Sequence, residues 1–168
     1  IGIDTIDLYQ IHRRDFLAHP HEVAGALTRL VESGKVRALG VSNYSPDELS
    51  ALQRFLDLPI VSTQPEFSPL RTAPLYDGTL DQAMAQDIAV LAWSPLGGGK
   101  LLDPAHPAAV LLAEQGAAHY ADAVAAALSW TMTHPARIIP IIGSQNPARI
   151  RAAAKAFKVF YAKGEAVE

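Results

Sequence analysis

Gly34-Lys35-Val36-Arg37-Ala38-Leu39-Gly40-Val41-Ser42-Asn43-Tyr44-Ser45-Pro46 is the stretch that decides the fold. Gly34 stands where a helix stops, because a residue at ease with positive φ is what closes a helix. The run Val36 to Asn43 then reads as an apolar strand with a polar tip, Ser42 and Asn43. A second helix starts at once: Ser45 is the N-cap, Pro46 the first helical residue, and Glu48 completes a capping box. Helix, strand and helix in succession predict a parallel α/β sheet, and such sheets hold ligands at the carboxyl ends of their strands.

Working outward, four more runs share the strand pattern: Ile6 to His12, Val61 to Phe67, Ala89 to Leu96 and Ile138 to Ser144. Nearly continuous Val, Ile, Leu and aromatic content predicts parallel strands covered on both faces. Between them lie helices at Glu22 to Ser33, from Ser45 onward, at Leu80 to Asp87, at Asp122 to His134, and from Asn146-Pro147 to about Phe157. The first puts Val23, Ala26, Leu27, Leu30 and Val31 on one face. Leu101 to Gly116 reads as an irregular insertion with a short helix at most. Five such β/α units in 168 residues are five-eighths of a (β/α)8 TIM barrel, which usually needs about 250 residues. Both ends are abrupt, with a strand pattern from Ile1-Gly2-Ile3-Asp4 and a stop at Glu168, and this predicts a piece of a longer protein, one partial domain over 1–168.

Composition narrows the class. Hydrophobic residues make up 49% and charged residues 18%, which is enough apolar material for a packed core. The net charge of -3, with scattered Lys and Arg, offers no field for nucleic acid. No apolar run approaches the roughly 18 residues that span a bilayer, and no signal-peptide pattern opens the chain. The absence of cysteine excludes disulfides and thiolate metal sites and fits a cytoplasmic location. Neither a Gly-x-Gly-x-x-Gly turn nor a phosphate-binding Gly-x-x-x-x-Gly-Lys-[Ser/Thr] loop is present; Gly97-Gly98-Gly99-Lys100-Leu101 lacks the first glycine and the hydroxyl.

Every strand ends in a group useful for chemistry. The ends supply His12, then Ser42 and Asn43, then Gln64 with Glu66, then Trp93 to Gly99, then Gly143-Ser144. Ile6-Asp7-Leu8-Tyr9-Gln10-Ile11-His12, Gly34 to Asn43, Gln64-Pro65-Glu66, Ala92-Trp93-Ser94-Pro95-Leu96-Gly97 and Ile139 to Ser144 through Arg149 together resemble the bacterial aldo-keto reductases, in the same order. The resemblance covers nearly the whole chain, from about the fourth barrel strand. It implies strands 4 to 8 of a (β/α)8 barrel that binds NADP(H) and transfers hydride to the carbonyl of a small aldehyde or ketone.

The same resemblance distributes the roles. His12 would orient the substrate carbonyl; Ser42, Asn43 and Gln64 would hold the nicotinamide carboxamide, which needs both donors and acceptors. Trp93 would stack on the nicotinamide ring. Ser94, Pro95, Leu96, Gly97 and Gly99 form a glycine-rich loop whose backbone N–H groups would cradle the pyrophosphate. Gly143, Ser144 and Arg149 complete the phosphate contacts, with Arg149 near a helix start favouring a 2′-phosphate. Hydride transfer also needs a proton donor. In the family this is a tyrosine supported by a lysine and an aspartate, all from barrel strands earlier than those matched here; Tyr9, Tyr44, Tyr76, Tyr120 and Tyr161 lie in other contexts. Trp93 stands where the family often has tyrosine, Gly143 where many members have lysine, and Ala152 and Ala153 where some place groups on the adenine. The preference for NADP therefore rests on Arg149.

Each residue also has a plainer reading. His12 alone suits a structural histidine, Ser42-Asn43 a turn, Trp93 a core position, Gly97 to Gly99 a flexible loop, and Arg149 a solvated charge. His19-x-His21 has metal-like spacing but sits in a proline-containing loop without carboxylate support, so no metal site is expected. Asp4, Asp7 and Asp15 show no paired geometry. Two functions remain: the cofactor-binding portion of an NADP-dependent reductase, inactive by itself, or a non-catalytic cofactor-binding or regulatory module or truncated product.

Overall fold

A computed structural model describes residues 2–162. Five parallel strands follow one another in the order of the chain. The molecule divides into two compact units, one of residues up to Pro65 with Asp77–Val90, the other of Glu66–Tyr76 with the residues from Leu91 on.

In the first unit β1 (Ile6–Ile11) pairs with β2 (Val36–Ser42), β2 with β3 (Ile60–Gln64), and β3 with the start of β4 (Ala89–Ala92). Helices α1 (Pro20–Glu32), α2 (Pro46–Gln53) and α3 (Thr79–Ala85) belong to the same unit. Helix α1 ends as expected: Gly34 has φ +72, its N–H donates to Val31 O at 2.9 Å, and Lys35 N–H donates to Leu30 O at 3.1 Å. These two bonds form a Schellman motif. The Ser45 capping box is also present, with Glu48 N–H on Ser45 Oγ at 3.2 Å and Ser45 N–H on Glu48 Oε2 at 2.9 Å. The core collects Ala24, Leu27, Leu39, Val41, Leu49, Leu52, Ile60, Leu80 and Val90.

Gly40 marks a close crossing within this sheet. A Cβ there would stand 2.2 Å from Ser62 Oγ and 2.9 Å from Gln10 Cγ. The space is taken by a hydrogen bond that crosses over β2 from β1 to β3, Gln10 Nε2 to Ser62 Oγ at 3.0 Å. The expectation that every strand is covered on both faces fails at β1, where Leu8 is 38% and Tyr9 39% exposed. Among the described residues β1 has a sheet neighbour on one side only.

In the second unit the end of β4 pairs with β5 (Ile139–Pro140) through Leu91 with Ile139 and Ala92 with Pro140. The anticipated strand Ile138 to Ser144 is only two residues long, Ile139–Pro140, and one further bond, Ile141 N–H to Ala92 O at 2.9 Å, closes the ladder; Pro140 is tolerated because its nitrogen faces away from β4. The segment 101–116 corrects another expectation, for it contains the twelve-residue helix α4 (Pro107–Ala118). Its Ala-Ala-Val-Leu-Leu-Ala sequence has no polar face to give a helical stripe, so periodicity does not reveal it. His106 caps it, Nδ1 accepting from Ala108 N–H at 3.2 Å. The same bond recurs at the other two His-Pro pairs, His19 with His21 N–H and His134 with Ala136 N–H, each at 3.2 Å. Proline supplies no donor, so the imidazole takes the next one.

The alanine-rich helix α5 (Ala123–Met132) is buried at Ala125, Ala126, Ala127 and Leu128. Gly116 lets α4 come close, since a Cβ there would meet Asp122 O at 2.7 Å. Phe67 stacks on Trp130 with centroids 5.3 Å apart. Helix α6 (Pro147–Ala153) follows, and the chain after it is held to α5 by Ser129 Oγ donating to Val159 O at 2.8 Å and Tyr161 OH donating to Ala126 O at 2.9 Å.

Candidate functional site

In the first unit three strand ends are knitted together. Ser42 closes β2 almost fully buried, and its hydroxyl donates to Gln64 O at 2.8 Å. Asn43 follows in a left-handed conformation with φ 58, which asparagine tolerates better than most residues. Its Nδ2 donates to Ser42 Oγ and to His12 O, both at 3.0 Å, while its own N–H reaches Gln64 O at 3.1 Å. The backbone carbonyl of His12, both polar groups of the Ser42-Asn43 pair and the carbonyl of Gln64 thus form one network, and the His12 ring is exposed beside it.

A second link braces the loop after His12. Arg14 Nη1 pairs with Glu48 Oε1 at 3.0 Å, so the capping-box glutamate serves a helix start and an ion pair at once. The bond to the Ser45 backbone, aided by Arg14, holds the Glu48 carboxyl below the usual carboxylate range despite partial burial. Burial, with Glu48 nearby, pushes the Tyr44 phenol up. The space between Arg14, Tyr44 and Glu48 is about 20 Å³, room for one water and no ligand. His19 and His21 set their rings edge-on to Phe55, at 5.4 and 5.9 Å, in structural contacts. Among the described residues no three His, Cys, Asp or Glu side chains gather as a metal site would require.

The second unit contains a cavity of about 680 Å³. Four segments wall it. The loop after β4 contributes Ser94, Pro95, Leu96, Gly98, Gly99 and Leu102; the start of α5 contributes Asp122, Val124 and Leu128; the loop after β5 contributes Ile141, Ile142, Gly143 and Ser144; and α6 contributes Arg149, Ala152 and Ala153. Ser94 has φ 51, and Gly98 and Gly99 have φ +65 and +91. A Cβ on Gly98, Gly99 or Gly143 would meet nothing within 4 Å, so these backbones border open space. Asn146 caps α6 with Oδ1 on the N–H groups of Ala148 and Arg149, at 2.9 and 3.4 Å, and Arg149 is exposed on the first turn.

Of the residues picked out in the sequence for phosphate contacts, Ser94, Pro95, Leu96, Gly99, Gly143, Ser144 and Arg149 meet at this cavity, whereas Gly97 is not on its wall; nor is Trp93, picked out to stack on the nicotinamide. Gly97, with φ +59, faces Leu70, whose Cδ1 a Cβ would approach to 2.8 Å. Trp93 bridges Glu66 in parallel fashion, and Trp93 O accepts from Phe67 N–H at 3.3 Å. Glu66 in turn pairs with Arg71 at 3.5 Å. Nothing in the local pattern singles out Asp122, Val124, Leu128 or the Ile141-Ile142 pair as wall residues. Asp122 figured in the sequence only as the start of the Asp122 to His134 helix.

Parallel β/α units in chain order, with polar strand ends, place the chain in the α/β class as part of a (β/α)8 barrel. Residues 1–166 match the aldo/keto reductase family, and this chain belongs to that family. It is similar to the 6-dehydroglucose reductase of Novosphingobium aromaticivorans, 51% identical over 95% of this chain and 54% of that protein. In fold it is similar to the thermostable aldo-keto reductase Tm1743, solved with the inhibitor epalrestat, with a TM-score of 0.88 at 24% identity over 97% of this chain and 58% of the other. The aldo/keto reductase of Klebsiella pneumoniae, solved with NADP and acetate, gives 0.83 at 25% identity over 96% and 56%. The chain spans about half the length of the curated relatives it matches. No helix among the described residues is long and apolar enough to cross a membrane.

Proposed function

We propose that this chain carries the cofactor-holding portion of an NADP(H)-dependent reductase of aldehydes or ketones. The cavity of the second unit carries the reading. Its volume lies within the roughly 300–1,000 Å³ of ordinary ligand sites. Its residues fit a phosphorylated nucleotide: Gly98, Gly99 and Gly143 leave backbone open to space, Ser144 offers a hydroxyl, and Arg149 a cation on the first turn of α6. The Val124, Leu128, Ile141, Ala152 and Ala153 side chains give an apolar surface suited to a base.

In the first unit Ser42, Asn43 and Gln64 are the residues for a carboxamide, since Asn43 and Gln64 each carry a donor and an acceptor. When bound, the nicotinamide supplies hydride. His12 orients the carbonyl that receives it; in the second unit Trp93 offers a flat aromatic face of the kind a nicotinamide ring stacks on. The relative named a 6-dehydroglucose reductase makes an oxidised sugar the first substrate to try. The alternative is binding without turnover, and one observation favours it for the isolated chain. Tyr161 OH is committed to Ala126 O and Tyr120 is 97% exposed on a turn, so neither serves as the proton donor of the strand-end network.

Fluorescence titration with NADPH tests the cavity. The unmodified chain is expected to bind, and Arg149→Ala to bind about tenfold more weakly, the value of one charge-assisted contact to phosphate. Absence of binding by both would sink the reading.

A further inference from the structure

We propose that Asp122 sets how strongly this chain separates a 2′-phosphorylated adenosine ribose from an unphosphorylated one; the inference rests on the nucleotide reading of the cavity. Among the described residues that wall the cavity, Arg149 carries the only positive charge and Asp122 the only negative one. Arg149 draws phosphate in, and Asp122 opposes it in the same space.

The charge on Asp122 is more than its helix requires. Oδ1 caps α5 by accepting from Ala125 N–H at 2.8 Å. An amide oxygen does this equally well, since asparagine and aspartate are matched as N-caps. Helix α6, at the same cavity, is capped in that neutral way by Asn146. A carboxylate instead of an amide at α5 leaves a net negative charge exposed toward the cavity. Its place is fixed: Ala121 N–H donates to Gly116 O at 2.8 Å, and Gly116 packs against the Asp122 carbonyl.

Any dinucleotide brings a pyrophosphate, which Asp122 repels whatever the ribose carries. A 2′-phosphate adds about -1.5 to -2 further charge, so the carboxylate weighs against it selectively. Both charges are solvated, which makes the effect several-fold and dependent on ionic strength.

Calorimetric titration of the chain with NADP+ and NAD+ tests this, using Asp122→Asn and Asp122→Ser, both of which keep a capping oxygen. The ratio of NADP+ to NAD+ affinity is expected to rise about threefold in either variant at low salt and to fall back toward the unmodified ratio at high salt. A ratio that does not move, or an equal change for both nucleotides, overturns the role of Asp122 while leaving the cavity reading intact. If neither nucleotide binds the unmodified chain, the cavity reading fails and this inference fails with it. Thermal unfolding of the variants near the unmodified midpoint ties the result to charge rather than to a lost cap.

Discussion

Gly40 stands where Gln10 and Ser62 reach for each other from the strands on either side. Its missing side chain is what permits that bond, because a methyl group would fall 2.2 Å from Ser62 Oγ. Overpacking at a fixed crossing costs about 1–3 kcal/mol, and a Gly40→Ala variant also loses the Gln10–Ser62 bond, worth about another 1 kcal/mol. Denaturant unfolding is expected to show a loss of about 2–4 kcal/mol. The double variant Gly40→Ala/Ser62→Gly, which clears the space, is expected to recover part of it; no recovery would rule out the steric cause. At this scale the local chemistry of the sequence went far: Ser42, Asn43 and Gln64 were visible as polar strand tips. Their mutual bonding was not visible, since it runs between residues more than twenty positions apart.

Elements differ in how much of their reason is local. The Gly34 stop and the Ser45 box lie within a few residues of the helices they end or start, and both stand as the sequence implied. Helix α4 escaped because an apolar sequence all round carries no stripe, and its helical state depends on packing against α5 at Gly116. β5 is only two residues long, and its ladder to β4 ends at the Ile141 N–H bond to Ala92 O. The last described residues are tied to α5 by Tyr161, whose phenol burial pushes up to about 12. A phenol is charged when deprotonated, so a raised folded value means the fold favours the neutral form. The stability it gives is fully present below the unfolded value of about 10 and is lost as pH rises from there to about 12. Tyr161→Phe is expected to cost about 1 kcal/mol at neutral pH through the lost bond to Ala126 O, and to flatten the fall in stability between those limits. Thermal unfolding of both proteins across alkaline pH checks this, and parallel decline would refute the assignment.

For the whole molecule, the measure is the family. Residues 1–166 match it, so both units fall within the matched stretch, yet the chain spans 54% of its 6-dehydroglucose reductase relative. Leu8 and Tyr9 on β1 are exposed although their residue types suit a covered sheet. With Tyr161 OH committed to Ala126 O and Tyr120 97% exposed on a turn, the purified chain is expected to oxidise NADPH with aldehydes no faster than a buffer control. Steady turnover at 340 nm would overturn that expectation, and its abolition by His12→Ala would make His12 necessary for it.

The sequence by itself determined the alternation of strands and helices, the caps, the glycine stop at Gly34 and the polar residues at the strand ends, because each depends on neighbours within one turn or one strand. It also carried the family likeness through ordered local motifs. Only the tertiary structure decided that Gly97 serves Leu70 while Gly98 and Gly99 border the cavity, that Arg14 and Glu48 brace the loop after His12, and that Asp122 shares a space with Arg149. These are meetings of segments far apart in the chain, settled by packing and hydrogen-bond geometry that no local pattern encodes.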